Sequence, residues 1–288
     1  MSNNGSNYQP FKQTLAPFCF GGTFSHTEGF PIVEGHFYLQ FADGRTFDDT
    51  CRIAAEIGFQ GYDLIGPHGW ETLKKYGLKP TMSHLGAAGT PDDGICNKSL
   101  HEKLEKSTRA ALKECGKFGA VNIVTMAGPL GNQTMEQAAD NAVEFLNKVK
   151  KEAEDLGVTI CMENLNSKVD HKGYLFDHSK WGFDVVKRVN SPRVKILYDI
   201  YHAQIMEGDV VRTIRDNIQW IGQIHTAGNP GRCQIDQNQE LNYPFIAREI
   251  EKLKFTGFLG HEYMPRPGSD PVACLKQAFE TFDVSRWQ

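Results

Sequence analysis

The sequence contains no apolar stretch that approaches the roughly 20 residues of a membrane-spanning helix. Residues 1–10 are polar and rich in Asn and Ser, without the apolar segment of a secretory signal. The seven cysteines are dispersed without C-x-x-C spacing, which argues against a disulfide scaffold or a zinc ribbon. A net charge of −4 argues against a nucleic-acid partner, because such partners bind clustered basic residues. These absences predict a cytoplasmic protein with reduced thiols and neither a membrane nor a nucleic-acid partner.

Short apolar runs alternate with segments of helical period through most of the 288 residues. About eight strand–helix pairs can be recognised, which is the number in a closed (β/α)8 barrel. One helix is marked at both ends, by the capping-box pair Thr134 and Gln137 and by Gly157 after its last apolar residue. We therefore expect an α/β fold, a single TIM-barrel domain over residues 1–288, with residues 1–12 as a flexible N-terminal tail.

Three local expectations follow from the same pattern. The first strand is expected at residues 15–20, and a helix at residues 209–220. A Gly/Thr/Ser-rich loop is expected from Gly21 to about Gly44, a length that is more typical of functional loops than of idle ones. A doubly wound open sheet is the competing architecture, but Gly21-Gly22 is a poor match for its phosphate-binding loop.

Four side chains that can bind a metal stand where apolar runs end, namely Glu163, Asp199, His225 and Glu262. Each interval between them fits one strand–helix unit of about 30 residues. In a TIM barrel the carboxyl ends of the strands form the active site, so the four should converge. Carboxylates buried together repel one another unless a cation compensates them. The set predicts one divalent metal ion, Mn²⁺, Mg²⁺ or Co²⁺, with Zn²⁺ as a further candidate.

The second half of the chain resembles the hydroxypyruvate isomerase-like branch of the xylose isomerase-like TIM barrel superfamily, which also contains ketose 3-epimerases. The resemblance is specific from about residue 159 to 265 and looser before that. The matching segments are Met162-Glu-Asn-Leu-Asn-Ser-Lys-Val-Asp-His171, Leu197-Tyr-Asp-Ile-Tyr-His202, Gln204-Ile-Met-Glu-Gly-Asp209, His225-Thr-Ala-Gly-Asn-Pro-Gly-Arg232, Glu240-Leu-Asn-Tyr-Pro244 and His261-Glu-Tyr263.

The resemblance implies that the same four residues hold one divalent metal, and that Glu163 and Glu262 also exchange protons with the substrate. His202 and Arg232 match the residues of the family that bind the substrate. Two further histidines are candidates for the substrate pocket by position: His84 closes the third apolar run, and His68 follows Gly66-Pro67.

We expect a metal-dependent isomerase or epimerase that acts on a sugar or hydroxy-keto acid through proton abstraction and an enediolate. One alternative is a lyase that carries out β-elimination on a 3-keto-sugar or keto-glycoside at the same metal site. A second is a metal-dependent endonuclease of the same barrel type, which would need more histidines and a basic groove. A metal-free sugar-binding barrel is a third. The expected partner is a small-molecule substrate, and the sequence leaves homo-oligomerisation open.

Overall fold

The computed structural model describes residues 11–25, 38–41 and 43–287. The strands within these residues are β1 (Lys12–Leu15), β2 (Gly22–Ser25), β3 (Tyr38–Phe41), β4 (Gly61–Tyr62), β5 (Lys79–Pro80), β6 (Met82–Ala88), β7 (Asn122–Thr125), β8 (Thr159–Glu163), β9 (Val194–Asp199), β10 (Ile221–Thr226) and β11 (Phe258–His261). The α-helices are α1 (Phe47–Ile57), α2 (Pro67–Lys75), α3 (His101–Phe118), α4 (Met135–Leu156), α5 (Ser179–Val189), α6 (Ile200–Met206), α7 (Val210–Asn217), α8 (Tyr243–Lys252) and α9 (Pro271–Thr281).

Nine of these strands form one parallel sheet, in the order β5-β4-β1-β11-β10-β9-β8-β7-β6. Its two end strands, β5 and β6, are separated in the chain by Thr81 alone. They therefore act as one interrupted strand, which gives eight strand positions and brings the ends of the sheet together. Helices follow the strands on the outside of the barrel. The fold is the predicted (β/α)8 TIM barrel.

The helices bury one face each against the barrel. In α4 the buried side chains include Ala142, Phe145, Leu146 and Val149, at the spacing of a single helical face. None of the helices in the described part of the chain is long and apolar enough to cross a membrane.

The first strand begins earlier than the sequence pattern indicates. Phe11 is buried and Lys12 pairs with Phe258 of β11, so both residues belong to the barrel and not to the predicted tail. The stretch from Pro17 to Phe20, expected as strand, is a short 3₁₀ helix. Proline fixes φ near the helical value and lacks an N–H, which favours the first position of a helix. Residues 1–10 of the predicted tail lie outside the described residues.

The predicted loop from Gly21 to Gly44 contains a hairpin. Strands β2 and β3 pair in antiparallel register, with Gly22 opposite Phe41 and Ser25 opposite Tyr38. This pairing joins segments that are distant in sequence, so the local composition gives no sign of it. The remainder of this prediction, residues 26–37 and 42, lies outside the described residues.

The predicted helix over residues 209–220 is α7, which stops at Asn217 and continues as a 3₁₀ turn to Trp220. It is preceded by α6, which the sequence pattern does not reveal. The carboxylate of Asp199 caps α6 by accepting hydrogen bonds from the backbone N–H of Tyr201 (2.8 Å) and His202 (3.2 Å). One residue thus ends β9 and starts α6, and no turn residue separates the two elements.

The capping box of α4 offers a test of the fold. Thr134 Oγ1 accepts a hydrogen bond from the N–H of Gln137 (3.1 Å), and Gln137 Oε1 accepts one from the N–H of Thr134 (2.9 Å). We expect Thr134→Ala to lower the free energy of unfolding by about 1 kcal/mol, because it leaves an N–H at the helix start without its partner. Denaturant titration would measure this loss. Thr134→Ser, which keeps the hydroxyl, should recover most of it; equal losses in the two variants would contradict the capping role.

Candidate metal and active site

The four predicted side chains meet at one end of the barrel. Glu163 and Asp199 are the last residues of β8 and β9, His225 is the fifth residue of β10, and Glu262 follows β11 directly. Each of the four residues offers one potential ligand atom, and these four atoms all lie within 4.8 Å of one another. All four residues are buried. The parallel register produces this convergence, since His225 lies opposite Asp199 on β9.

Glu262 is held by two cationic groups. Its Oε2 lies 2.9 Å from His225 Nδ1, and its Oε1 lies 3.0 Å from Arg232 Nη2. Burial opposes ionisation of this carboxyl group, but Arg232 and the hydrogen bond to His225 lower its pKa to about 2. Glu262 is therefore ionised at neutral pH.

Glu163 and Asp199 are less well compensated. Burial, and after it the charge of Glu262, holds the pKa of Glu163 well above its ordinary value. Burial likewise raises the pKa of Asp199 to about 6, against the lowering effect of Arg232. Asp199 Oδ1 caps α6, whereas its Oδ2 is buried without a hydrogen-bond partner among the described residues. Such an atom is costly to bury unless something binds it.

The donor set fits a divalent cation. Glu163, Asp199 and Glu262 offer hard oxygen ligands, and the Nδ1 atom of His225 faces two of them, at 2.9 Å from Glu262 and 3.9 Å from Glu163. Oxygen-rich sites with one imidazole suit Mn²⁺, Mg²⁺ and Co²⁺, and Zn²⁺ also accepts these ligands. A cation would also give Asp199 Oδ2 the partner that it lacks.

Asp63 is a member of this cluster that the sequence pattern does not single out. It directly follows β4, is fully buried, and its Oδ2 lies 3.0 Å from His225 Nε2. Although burial disfavours the imidazolium, the hydrogen bonds to Asp63 and Glu262 hold the pKa of His225 well above its ordinary value. The signal in the sequence is weaker than for the four predicted residues, because Asp63 lies inside the apolar run Gly61-Tyr-Asp-Leu-Ile65 and does not close it.

His202, predicted to bind the substrate, is fully buried beside the cluster. Its Nδ1 lies 3.1 Å from the N–H of Asn166 and 2.7 Å from the side-chain amide of the same residue, so Nδ1 accepts and the proton is on Nε2. Burial, and then the charge of Arg232, lowers the pKa of His202 well below its ordinary value. The Nε2 atom lies 3.8 Å from Asp199 Oδ2 and is buried without a hydrogen-bond partner among the described residues.

Arg232, the second predicted substrate-binding residue, lies in a turn with its guanidinium 5.7 Å from the ring centroid of Tyr201. The hydroxyl of Tyr201 donates to Asp170 (2.9 Å), which also accepts from Asn166 (2.6 Å). These contacts orient the aromatic face below the guanidinium. Tyr201, Asp170 and Asn166 lie within the segments that match the family, but no local pattern marks them as supports of the site.

The two other histidine candidates are placed differently. His68 is exposed in the first turn of α2, where its Nδ1 lies close to the backbone of Gly66. His84 belongs to β6, and its side chain lies outside the described part of the structure. A substrate contact remains a prediction for both residues.

Comparison with known proteins identifies the family. The sequence model of the family described as xylose isomerase-like TIM barrel matches residues 51–282. The chain belongs to this family. It is 26% identical over 232 residues to a 2-oxo-tetronate isomerase of Pectobacterium atrosepticum, covering 76% of this chain and 87% of that protein. It is 27% identical over 224 residues to hydroxypyruvate isomerase of Escherichia coli, covering 74% and 86% of the two chains, respectively.

Solved structures show the same fold. A family 2 AP endonuclease from Brucella melitensis superimposes with a TM-score of 0.74 at 23% identity, over 92% of this chain and 97% of that chain. An L-ribulose 3-epimerase gives a TM-score of 0.72 at 15% identity, over 96% of each chain. At these identities the similarity establishes the barrel. The isomerase relatives above show that this member of the family is an enzyme.

One buried histidine beside the site allows a test by pH. His261 Nδ1 lies 2.8 Å from Thr226 Oγ1 and its Nε2 lies 3.1 Å from Gln13 Oε1. Burial, and then the charge of His225, lowers the pKa of His261 to about 3. The unfolded chain, with a histidine pKa near 6.5, binds this proton more readily than the folded protein does. Stability from this residue is therefore complete above pH ~6.5 and is lost as the pH falls toward 3.

We expect the free energy of unfolding of the wild type to fall more steeply than that of His261→Gln, by about 2 kcal/mol between pH 6.5 and 4.5. Denaturant titrations at several pH values, each referred to pH 7.5, would measure the difference. Parallel pH profiles for the two proteins would show that the imidazole does not titrate as described.

Proposed function

We propose that this enzyme is a divalent-metal-dependent isomerase or epimerase that acts on a sugar or a hydroxy-keto acid. The observation that supports this most directly is the convergence of Glu163, Asp199, His225 and Glu262 at the barrel mouth. The relatives named 2-oxo-tetronate isomerase and hydroxypyruvate isomerase support the reaction class, as does the fold shared with an L-ribulose 3-epimerase. The proposed partner is a small molecule.

The same four residues would hold the metal. A bound divalent ion acts as a Lewis acid, which polarises a carbonyl group and makes the neighbouring C–H more acidic. The protein supplies the remaining functions, which are proton transfer, orientation of the substrate and exclusion of water by a buried site.

Glu163 and Glu262 are proposed to move the proton. Both carboxyl groups belong to the buried cluster at the barrel mouth. One of them, Glu163 or Glu262, would remove the proton from carbon as a general base, and the other would return a proton to the enediolate. Return to the neighbouring carbon gives isomerisation, and return to the opposite face gives epimerisation.

His202 and Arg232 are proposed to bind the oxygens of the substrate. The unpaired Nε2–H of His202 and the buried Nε of Arg232, which also has no partner among the described residues, are donors available to an oxygen on which charge develops. The aromatic face of Tyr201 fixes the guanidinium in place. Both donors are buried, so their hydrogen bonds to a substrate would be stronger than in water.

Two alternatives can be compared with the structure. A lyase acting on a 3-keto-sugar would use the same proton abstraction, so only the products distinguish it from an isomerase or epimerase. A multi-zinc endonuclease would need additional histidine ligands, whereas the described residues contain a single candidate group with one imidazole.

The proposed reaction can be tested by deuterium exchange. We expect the wild type with Mn²⁺ to incorporate solvent deuterium into hydroxypyruvate or into a ketose of a test panel. Glu262→Gln should lower this rate by at least about 10²-fold, because it removes one of the two groups proposed to transfer the proton. Mass spectrometry of substrate and product would measure both exchange and elimination, and EDTA should abolish the wild-type rate.

Glu249→Gln is the control, because the partly buried carboxylate of Glu249 lies on α8 and contacts Arg215 and Lys252. It should exchange at the wild-type rate. Circular dichroism would confirm that both variants are folded. If folded Glu262→Gln exchanges at the full rate, Glu262 does not transfer the proton. If the exchange is insensitive to EDTA, the reaction does not depend on a metal.

A second variant separates substrate binding from metal binding. Arg232→Ala should lower kcat/KM by about 10²-fold, because it removes a donor to the developing oxyanion. The metal content should stay unchanged, since His225 still holds Glu262. Kinetics and elemental analysis would measure the two effects, with exposed Arg212→Ala as the control. If the main defect of Arg232→Ala were loss of metal, the assignment of Arg232 to the substrate would be wrong.

A further inference from the structure

The carboxylate of Asp63 is enclosed by hydrogen-bond donors on both oxygens. Its Oδ2 lies 2.8 Å from the side-chain amide nitrogen of Gln223 and 3.0 Å from His225 Nε2. Its Oδ1 accepts hydrogen bonds from the hydroxyls of Thr14 (3.3 Å) and Thr81. All of these residues are buried. A buried carboxylate with this many hydrogen-bond donors is fixed in position.

Both ring nitrogens of His225 face carboxylate oxygens: Nε2 lies 3.0 Å from Asp63, and Nδ1 lies 2.9 Å from Glu262. A carboxylate oxygen accepts hydrogen bonds, so each ring nitrogen can donate a proton to its partner. A cation held by Glu262 and its neighbours would take the place of the proton on Nδ1, whereas Asp63 would keep the proton on Nε2. We propose that Asp63 is a positioning residue that holds His225 in the tautomer and orientation needed to bind a divalent cation through Nδ1.

The orientation of Gln223 is itself fixed from a further strand. The side-chain amide of Asn122 donates to Gln223 Oε1 (2.9 Å) and to the backbone carbonyl of Thr81 (2.9 Å). Because Oε1 is occupied in this way, Gln223 must present its NH₂ group to Asp63. The network therefore selects a carboxylate acceptor at this position.

Gly260 provides independent support from the neighbouring strand. It pairs with His225 in the sheet, and a Cβ atom at this position would lie 2.3 Å from Asp63 Oδ2 and 2.9 Å from the His225 ring. Any larger residue would push into both partners of the contact. The glycine at position 260 in β11 thus leaves the space that the contact between Asp63 and His225 occupies.

A carboxylate behind a ligating histidine raises the basicity of the imidazole and holds the ring in orientation, and removal of such a partner typically weakens metal binding by 10–100-fold. This inference rests on the proposed metal site, but it concerns a residue that does not itself bind the metal. We expect Asp63→Asn to bind Mn²⁺ 10–100-fold more weakly than the wild type, as measured by competition with a chelator.

The control for the lost charge is Asp177→Asn, a partly buried carboxylate that contacts Ser167 and His178. It should keep the wild-type affinity. A second measurement reports the mechanism directly: in the Mg²⁺-loaded protein, long-range ¹H–¹⁵N spectra should show the proton of His225 on Nε2. In Asp63→Asn this single-tautomer pattern should be lost or exchange-broadened.

If Asp63→Asn does not fold, Thr81→Val tests the same point, because it loosens Asp63 without removing its charge. A smaller loss of Mn²⁺ affinity in the same direction is expected. If the wild type binds Mn²⁺, and the folded variants bind it with equal affinity and an unchanged His225 tautomer, the role of Asp63 is wrong and the proposed function stands. A wild-type protein that takes up no Mn²⁺ would overturn the proposed function and this inference together.

Discussion

The concentration of buried negative charge at one end of the barrel is the constraint on which this structure depends. Four carboxylates are buried in the described part of the chain, and all four belong to one cluster: Asp63, Glu163, Asp199 and Glu262. Two basic side chains, His225 and Arg232, lie among them. Even with both charged, the cluster keeps an excess of negative charge in a medium that solvates it poorly, which is costly unless a cation is bound. Burial, and after it the charge of Glu262, accordingly raises the pKa of Glu163 well above its ordinary value.

The interior of the barrel is adapted to that constraint. TIM barrels usually fill the space below the active site with layers of branched aliphatic side chains. Here Thr14, Thr81, Asn122 and Gln223 form a buried hydrogen-bonded group below the carboxylates. A polar network of this kind is stable only when its members are satisfied, so its geometry is narrowly defined. The precision of the site is therefore set by the barrel interior, and the segments above it carry the residues proposed to bind the substrate.

Prediction from the sequence succeeded where the signal is local and failed where it is not. Glu163 and Asp199 each close an apolar strand, so their position at the barrel mouth follows from the fold class alone. The hairpin of β2 and β3 and the interrupted strand at Thr81 depend on pairing between distant segments, which no local pattern records. Helix α6 was missed because Asp199 ends one element and caps the next. Asp63 lies inside an apolar run and not at its end, and its partner is 162 residues away, so only the assembled barrel identifies it.

The contact between Asp63 and His225 also shows why the complete cluster requires a closed barrel. In the order of the sheet, β4 is separated from β10 by β1 and β11, which is three strand spacings, or about 14 Å in a flat sheet. The two side chains nevertheless approach to 3.0 Å. Such an approach is reached only when the sheet curls so that both strands direct their side chains into a common interior. An open doubly wound sheet could still align Glu163, Asp199 and His225 along one edge, because their strands are neighbours. It could not place a carboxylate behind the imidazole, so the complete cluster depends on closure of the barrel.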